Sequence, residues 1–153
     1  MKNIKTIFVL VITFSFIQCN SLKLESSPSF KITGATYNYW IGGQPGVSGI
    51  KVNIGVQSDS EIIFEKIYFQ KRAVKIEIRT FKEKTYLIGH FDTSTRKDPV
   101  VIDDISLPKP VVKQTEFSFE LKENEAVISY KQGNKIKYFK IINLKKTKTD
   151  FYP

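Results

Sequence analysis

From about residue 30 onward the chain alternates apolar and polar residues one for one, and that pattern restricts it to pleated structure. Ile50, Val52, Ile54 and Val56 alternate with Lys51, Asn53, Gly55 and Gln57. Successive side chains of a strand point to opposite faces, so such a run buries one face and wets the other. Val74, Ile76 and Ile78 alternate in the same way with Lys75, Glu77 and Arg79, and Phe117, Phe119 and Leu121 alternate with Ser118 and Glu120. Residues 62–70 and 86–91 add apolar, β-branched and aromatic runs. No segment carries a convincing 3.6-residue period.

Turn chemistry separates these runs. Residues 122–125 stand between the Phe117 run and residues 126–131, where Ala126, Ile128 and Tyr130 share a face. Gln132-Gly133-Asn134 then turns the chain into residues 135–143, because Gly and Asn both tolerate positive φ. In that last run Ile136 and Tyr138 lie on one face, and Phe139 and Ile141 mark a register change. Residues 92–112 hold Pro99, Pro108 and Pro110, which cannot donate to a central ladder, so they read as a loop with a short edge strand at 100–102. About eight short strands with turns between them predict an all-β fold. The expected form is an antiparallel immunoglobulin-like β-sandwich, with a small open barrel as the alternative. Aromatic residues make up 13% of the chain, which suits packing on pleated faces.

The first residues read as an address rather than as part of the fold. Residues 1–5 are positively charged, and residues 7–17 are apolar apart from Thr13 and Ser15. The apolar run falls short of the roughly 20 residues of a spanning helix and matches a secretory signal peptide over residues 1–18. Cys19, the only cysteine, follows at once. Phe16-Ile17-Gln18-Cys19 resembles the lipobox of bacterial lipoproteins, with Gln18 where that family prefers a small residue. Loose lipoboxes of this kind are similar to those of Bacteroidetes-type small lipoproteins. The resemblance implies a diacylglycerol on the Cys19 sulfur and a mature chain that begins there. The expected location is the cell envelope, on the outer membrane or a periplasmic face. Ordinary cleavage after Ser21 is the alternative, and it releases a soluble secreted protein without a cysteine. Ser, Asn and Pro dominate residues 19–29, which read as a flexible tether to a domain at residues 30–153. A lone cysteine excludes an internal disulfide, so the core alone must hold the domain.

Losing Lys2 and Lys5 with the leader takes the formal charge from +9 to +7. A basic balance suits nucleic acid, anionic lipid or an acidic glycan, but also a lysine-rich soluble surface. Export and the dispersion of the charges speak against nucleic acid. Lys135, Lys137, Lys140, Lys145, Lys146 and Lys148 form a basic C-terminal stretch that suits anionic headgroups or a charged sheet edge.

Among candidate sites, residues 37–49 stand out. They hold the only Trp, two Tyr and four Gly around Pro45. Tyr37, Tyr39 and Trp40 with Gly42, Gly43 and Gln44 form the expected binding segment, aromatic anchors beside an adaptable loop. The competing reading puts alternate aromatics in the core and uses the glycines for a strand-to-strand turn. His90 is the only histidine and lacks the partners of a metal or catalytic site. Asp92, Asp98, Asp103 and Asp104 match no calcium loop, and Arg96 and Lys97 interrupt them. No metal, cofactor or catalytic residue is expected. The expected protein is a monomeric, non-catalytic envelope lipoprotein that binds or scaffolds an envelope protein or glycan. An inhibitor or immunity protein comes second, and a glycan hydrolase third.

Overall fold

The computed structural model describes residues 22–58, 60–82, 84–95 and 119–153. They form β1 (Leu24–Glu25), β2 (Phe30–Ile41), β3 (Ser48–Ser58), β4 (Ile63–Phe69), β5 (Arg72–Lys75), β6 (Glu77–Phe81), β7 (Lys84–Asp92), β8 (Ala126–Gln132), β9 (Lys135–Ile141), β10 (Lys145–Lys146) and β11 (Asp150–Phe151). The expectation of an all-β fold holds. The strands make two open mixed sheets rather than a barrel, β1-β9-β8-β4-β5 and β10-β2-β3-β7-β6, with β11 also on β2. The eight longer strands pair antiparallel, whereas the two-residue strands β1, β10 and β11 add parallel edges.

One core lies between the sheets. The β3 residues Ile50, Val52, Ile54 and Val56 all face it, as their alternation requires. Aromatic rings bridge the two layers: Phe69 of β4 lies 5.0 Å from Tyr37 of β2 and 6.0 Å from Phe91 of β7. At the other end Phe30 sits edge-on to Phe64 and Tyr130, at 5.2 and 5.0 Å. Tyr130 is fully buried, and its hydroxyl has no hydrogen-bond partner among the described residues. Burial pushes the pKa of this phenol up. A desolvated, unpaired hydroxyl is destabilising, so Tyr130→Phe is expected to raise stability by about 1 kcal/mol. A higher urea midpoint at unchanged slope would show this, and a lower one would mean that the hydroxyl is partnered.

A bulge decides which aromatics of β2 reach the core. The pairing with β3 shifts between Ile32 and Gly34. Before the shift the even-numbered Phe30 and Ile32 face inward; after it the odd-numbered Ala35, Tyr37 and Tyr39 do. An extra residue in one strand changes the parity of everything beyond it. Trp40 is thereby turned to the outer face.

Three expectations need correction. Val74, Ile76 and Ile78 do not share one strand of one sheet. The chain crosses between sheets at the buried Ile76, whose N–H donates to the Glu65 carbonyl at 2.9 Å. The register change expected near Tyr138 is absent, for β9 pairs with β8 without interruption. Apolar residues occur on both faces of β9 because Phe139 packs on the main core and Tyr138 on a second cluster on the other side. Phe119, Glu120 and Leu121 are not strand. Phe119 and Leu121 instead pack with Tyr68, Ala73, Val127 and Tyr138 in a second apolar cluster on the outer face of the β1–β5 sheet. Residues 126–130 of β8 are therefore buried in an unbroken run. The hairpin at Gln132 is as expected, with Gly133 at φ +60 between the paired Gln132 and Lys135.

The turn before β8 is locked by a carboxylate. Glu125 accepts from the Lys122 N–H at 2.9 Å and pairs with the Lys140 ammonium at 2.7 Å. These contacts, the backbone bond first, hold its pKa below the usual range. A lowered folded-state pKa stabilises above the unfolded value of about 4.3 and ceases to as pH falls through the folded value. Glu125→Gln is expected to lower stability at pH 7 and to flatten the acid limb of the stability curve below about pH 4. Identical acid limbs in the two proteins would contradict this.

The N-terminal residues are tied down from Leu24 onward, although they fall in the stretch expected as tether. Leu24 and Glu25 pair with Tyr138 and Phe139, and Glu25 lies 3.5 Å from the Lys137 ammonium. Ser29 accepts from the Gln132 amide at 2.6 Å. The chain thus enters beside the β8–β9 hairpin, and β2 carries it along its 12 residues to the far end of the domain. At the rise of an extended strand that is about 35 Å. The expected leader, Cys19, the acids Asp98, Asp103 and Asp104, the three prolines Pro99, Pro108 and Pro110 and the edge strand expected at 100–102 lie outside the described residues.

Candidate functional site

The far end of β2 is where the candidate segment comes together. Gln44-Pro45-Gly46-Val47 is a closed turn: the Val47 N–H donates to the Gln44 carbonyl at 3.2 Å, and Gly46 has φ +81. Pro at the second position and a positive-φ Gly at the third are the type II pattern. The Gly42 N–H donates to the Val47 carbonyl at 2.9 Å, and the Thr95 N–H to the Gly46 carbonyl at 2.9 Å. Gly43 lies against the backbone of Pro153, so closely that a β-carbon there would clash. The loop expected to be adaptable is thus braced by Thr95 on one side and the C-terminus on the other.

The aromatics of the segment divide between the two faces. Tyr37 is core, and burial raises its pKa. Tyr39 packs beside it at the sandwich edge, where its hydroxyl accepts from the Gln70 amide at 3.2 Å and the Lys146 ammonium lies 4.7 Å from its ring centre. Gln70 and Lys71 both have positive φ, the signature of a tight primed turn between β4 and β5, and that turn carries Gln70 to Tyr39.

Trp40 lies on the outer face. It pairs with Gly49, and a β-carbon added at Gly49 would stand against Cε2, Cζ2 and Nε1 of the indole at once. Near-equal contact with three atoms around the ring fusion means that the indole lies flat on the glycine. The ring face at the fusion lies against the sheet, and Trp40 as a whole is half-buried. Tyr152 stands edge-on to it at 6.2 Å and 74°, forming a wall to the indole floor. Polar groups of neighbouring strands rim the floor. The Asn38 amide donates to Asp150 at 2.7 Å; Lys51 is opposite Asn38 in register, and Asp92 is opposite Gly49. The Ser94 N–H donates to the Asp92 carboxylate at 2.8 Å, and the Ser94 hydroxyl first, with this N–H second, holds the Asp92 pKa low. Phe151, 75% exposed, pairs with Ile41 and so lies on the opposite face of this edge from Trp40.

Of the six residues expected to bind, only Trp40 presents a ring face on this corner. Tyr37 and Tyr39 belong to the core and its edge, and Gly42, Gly43 and Gln44 build the turn. Sequence reasoning missed Tyr152, Phe151 and Asp150. Their signal, consecutive aromatics at the very C-terminus, has meaning only once β11 is seen to lie beside β2.

The other candidates stay apart. His90 pairs with Glu77 at 3.2 Å on the open sheet surface, and Arg79 pairs with the same carboxylate at 2.6 Å. These neighbours, Arg79 foremost, lower the Glu77 pKa. The basic stretch does not form one face: Lys135, Lys137 and Lys140 lie on β9 of one sheet, and Lys145 and Lys146 on β10 of the other. A cleft of about 610 Å³ beside Phe119 brings Lys71, Lys122 and Lys140 against Glu120 and Glu125. No group of three or more His, Cys, Asp and Glu able to hold a metal occurs among the described residues. No helix among them is long and apolar enough to cross a membrane. Comparisons with protein-family models, with curated proteins and with solved structures find no match to this chain.

Proposed function

We propose that this chain is a non-catalytic lipoprotein of the cell envelope whose β domain binds another envelope component through the Trp40–Tyr152 corner. The observation that carries the reading is the indole seated flat on Gly49. A large, half-buried aromatic held with one ring face against the sheet is a ready contact surface. Placement supports it. The leader and Cys19 precede Leu22, and the described chain begins beside the β8–β9 hairpin, at the opposite end of β2 from Trp40. An acyl group on Cys19 would hold the hairpin end towards the bilayer and present the aromatic corner away from it. An immunoglobulin-like relationship is part of this proposal. Two packed layers linked by hairpins favour it, and the parallel edge strands are additions to that pattern.

A second reading, an inhibitor or immunity protein, draws on one feature. The β2–β3 hairpin continues beyond Tyr37, which sits level with Phe69 at the last inward position of β4, so its tip projects past the opposing sheet.

Two measurements test the proposal. The native mature protein is expected to have the mass of a chain beginning at Cys19 plus acyl groups, lost in Cys19→Ser; an unacylated chain beginning at Leu22 removes the anchor. Separately, the immobilised domain is expected to retain a component of a detergent-solubilised envelope fraction. Trp40→Ala should lose at least about tenfold of that retention, equivalent to 1.4 kcal/mol. Phe81→Ala, at the exposed β6 edge, should not. Equal retention by the two variants contradicts the assignment of the corner.

A further inference from the structure

We propose that the Trp40–Tyr152 corner is a carbohydrate site that stacks the apolar face of a β-linked, gluco-configured pyranose on the indole. The inference rests on the reading of this corner as the binding site and adds the chemistry of the ligand.

Three features carry it. The floor is a single flat ring, immobilised because Gly49 lets it settle onto the backbone of β3. The negative face of an aromatic quadrupole attracts weakly positive C–H groups. A pyranose with all substituents equatorial presents such groups as a flat patch of axial hydrogens. Tyr152, at 74° to the floor, closes one side and leaves a corner one to two rings wide.

The rim supplies what the hydroxyl groups of such a ring need. Asn38 offers an amide, Lys51 an ammonium, and Asp92 and Asp150 carboxylates, all on the outer face beside Trp40. The rim thus holds both donors and acceptors, as equatorial hydroxyls both donate and accept. The rim also excludes other stacking ligands. Among the groups named on this rim, one lysine stands against two carboxylates, a net negative balance that disfavours a nucleotide phosphate or an acidic polysaccharide. A buried protein anchor needs walls on several sides to exclude water. This corner has a floor and one wall.

Trp40 is the only tryptophan, so its emission reports on this site alone. The mature chain is titrated with cellohexaose and with the hexamer of β-1,4-linked N-acetylglucosamine, following Trp40 fluorescence and, for variants lacking it, heat of binding. The expected result is saturation with at least one hexamer at a Kd between about 10 µM and 1 mM. Trp40→Ala should weaken that binding at least about tenfold, and Tyr152→Ala and Lys51→Ala severalfold. Gly49→Val keeps the tryptophan but unseats it, and should lose binding while far-ultraviolet circular dichroism shows an intact sheet. If Trp40→Ala fails to fold, Gly49→Val and Lys51→Ala decide alone.

No saturation with either hexamer up to about 5 mM overturns the inference. If capture of an envelope component still depends on Trp40 in that case, the binding-site reading stands and its ligand is a protein. Saccharide binding that Trp40→Ala and Gly49→Val leave unchanged also overturns the inference, because the sugar then sits elsewhere. Capture indifferent to Trp40, with no saccharide binding, removes both readings.

Discussion

Phe69→Ala is expected to cost the domain about 3–5 kcal/mol. Phe69 is fully buried and touches Tyr37 and Phe91, so it joins the two sheets where no disulfide can. Truncation removes the transfer free energy of the ring and leaves a cavity between two pleated layers that cannot both close on it. Domains of this size have about 5–15 kcal/mol in total, so the variant should sit near its unfolding midpoint at moderate temperature. Urea unfolding at 25 °C checks this. A loss below about 1 kcal/mol would mean that the layers do not meet at this ring.

The second large effect is expected where period-two reasoning places solvent. Val127 lies between the inward-facing Ala126 and Ile128 of β8, on the outer face of its sheet, yet it is fully buried. Phe119, Tyr68 and their neighbours cover it. Val127→Lys would put an ammonium into that cluster, opposite Lys140 in register. An unpaired buried charge and a like-charged neighbour together should cost about 3 kcal/mol or more. A thermal or urea midpoint within error of the parent protein would show that the outer face is open, and that the second cluster contributes nothing.

These two positions also show what sequence patterning can and cannot reveal. The inward row of β3 is legible because a half-buried strand must alternate, and the Gly133 hairpin because few residues tolerate its backbone. The second cluster is not legible. It depends on where the chain lies after a long connection, and Phe119 and Leu121 alternate just as strand residues do. The crossing at Ile76 leaves the alternation of residues 74–78 intact while moving them from one sheet to the other, so nothing in the pattern marks it. In β2 alternation alone divides Tyr37 and Tyr39 from Trp40 but does not say which set faces in. The bulge at Gly34 decides that, and a glycine within a strand is the only hint of it.

The corner proposed to bind is half legible for the same reason. Trp40 and the glycines are neighbours in sequence, so local composition marks them. Tyr152 and Asp150 reach Trp40 and Asn38 across more than a hundred residues, through a two-residue parallel strand that no local pattern predicts. The turn that looked adaptable is braced by the same C-terminal segment. A rigid corner favours recognition without an ordering cost, because little conformational freedom is left to lose on binding.

An envelope component is expected to bind at this corner. Mapping it on the ¹⁵N-labelled mature domain, with solubilised envelope material added, is the most direct measurement. The single indole N–H resonance of Trp40 is expected to shift first, together with the amides of Gly49, Lys51, Asp92 and Tyr152, while β6 and the cleft beside Phe119 stay unchanged. Shifts centred on that cleft or on the β6 edge, with the Trp40 indole unmoved, would contradict it.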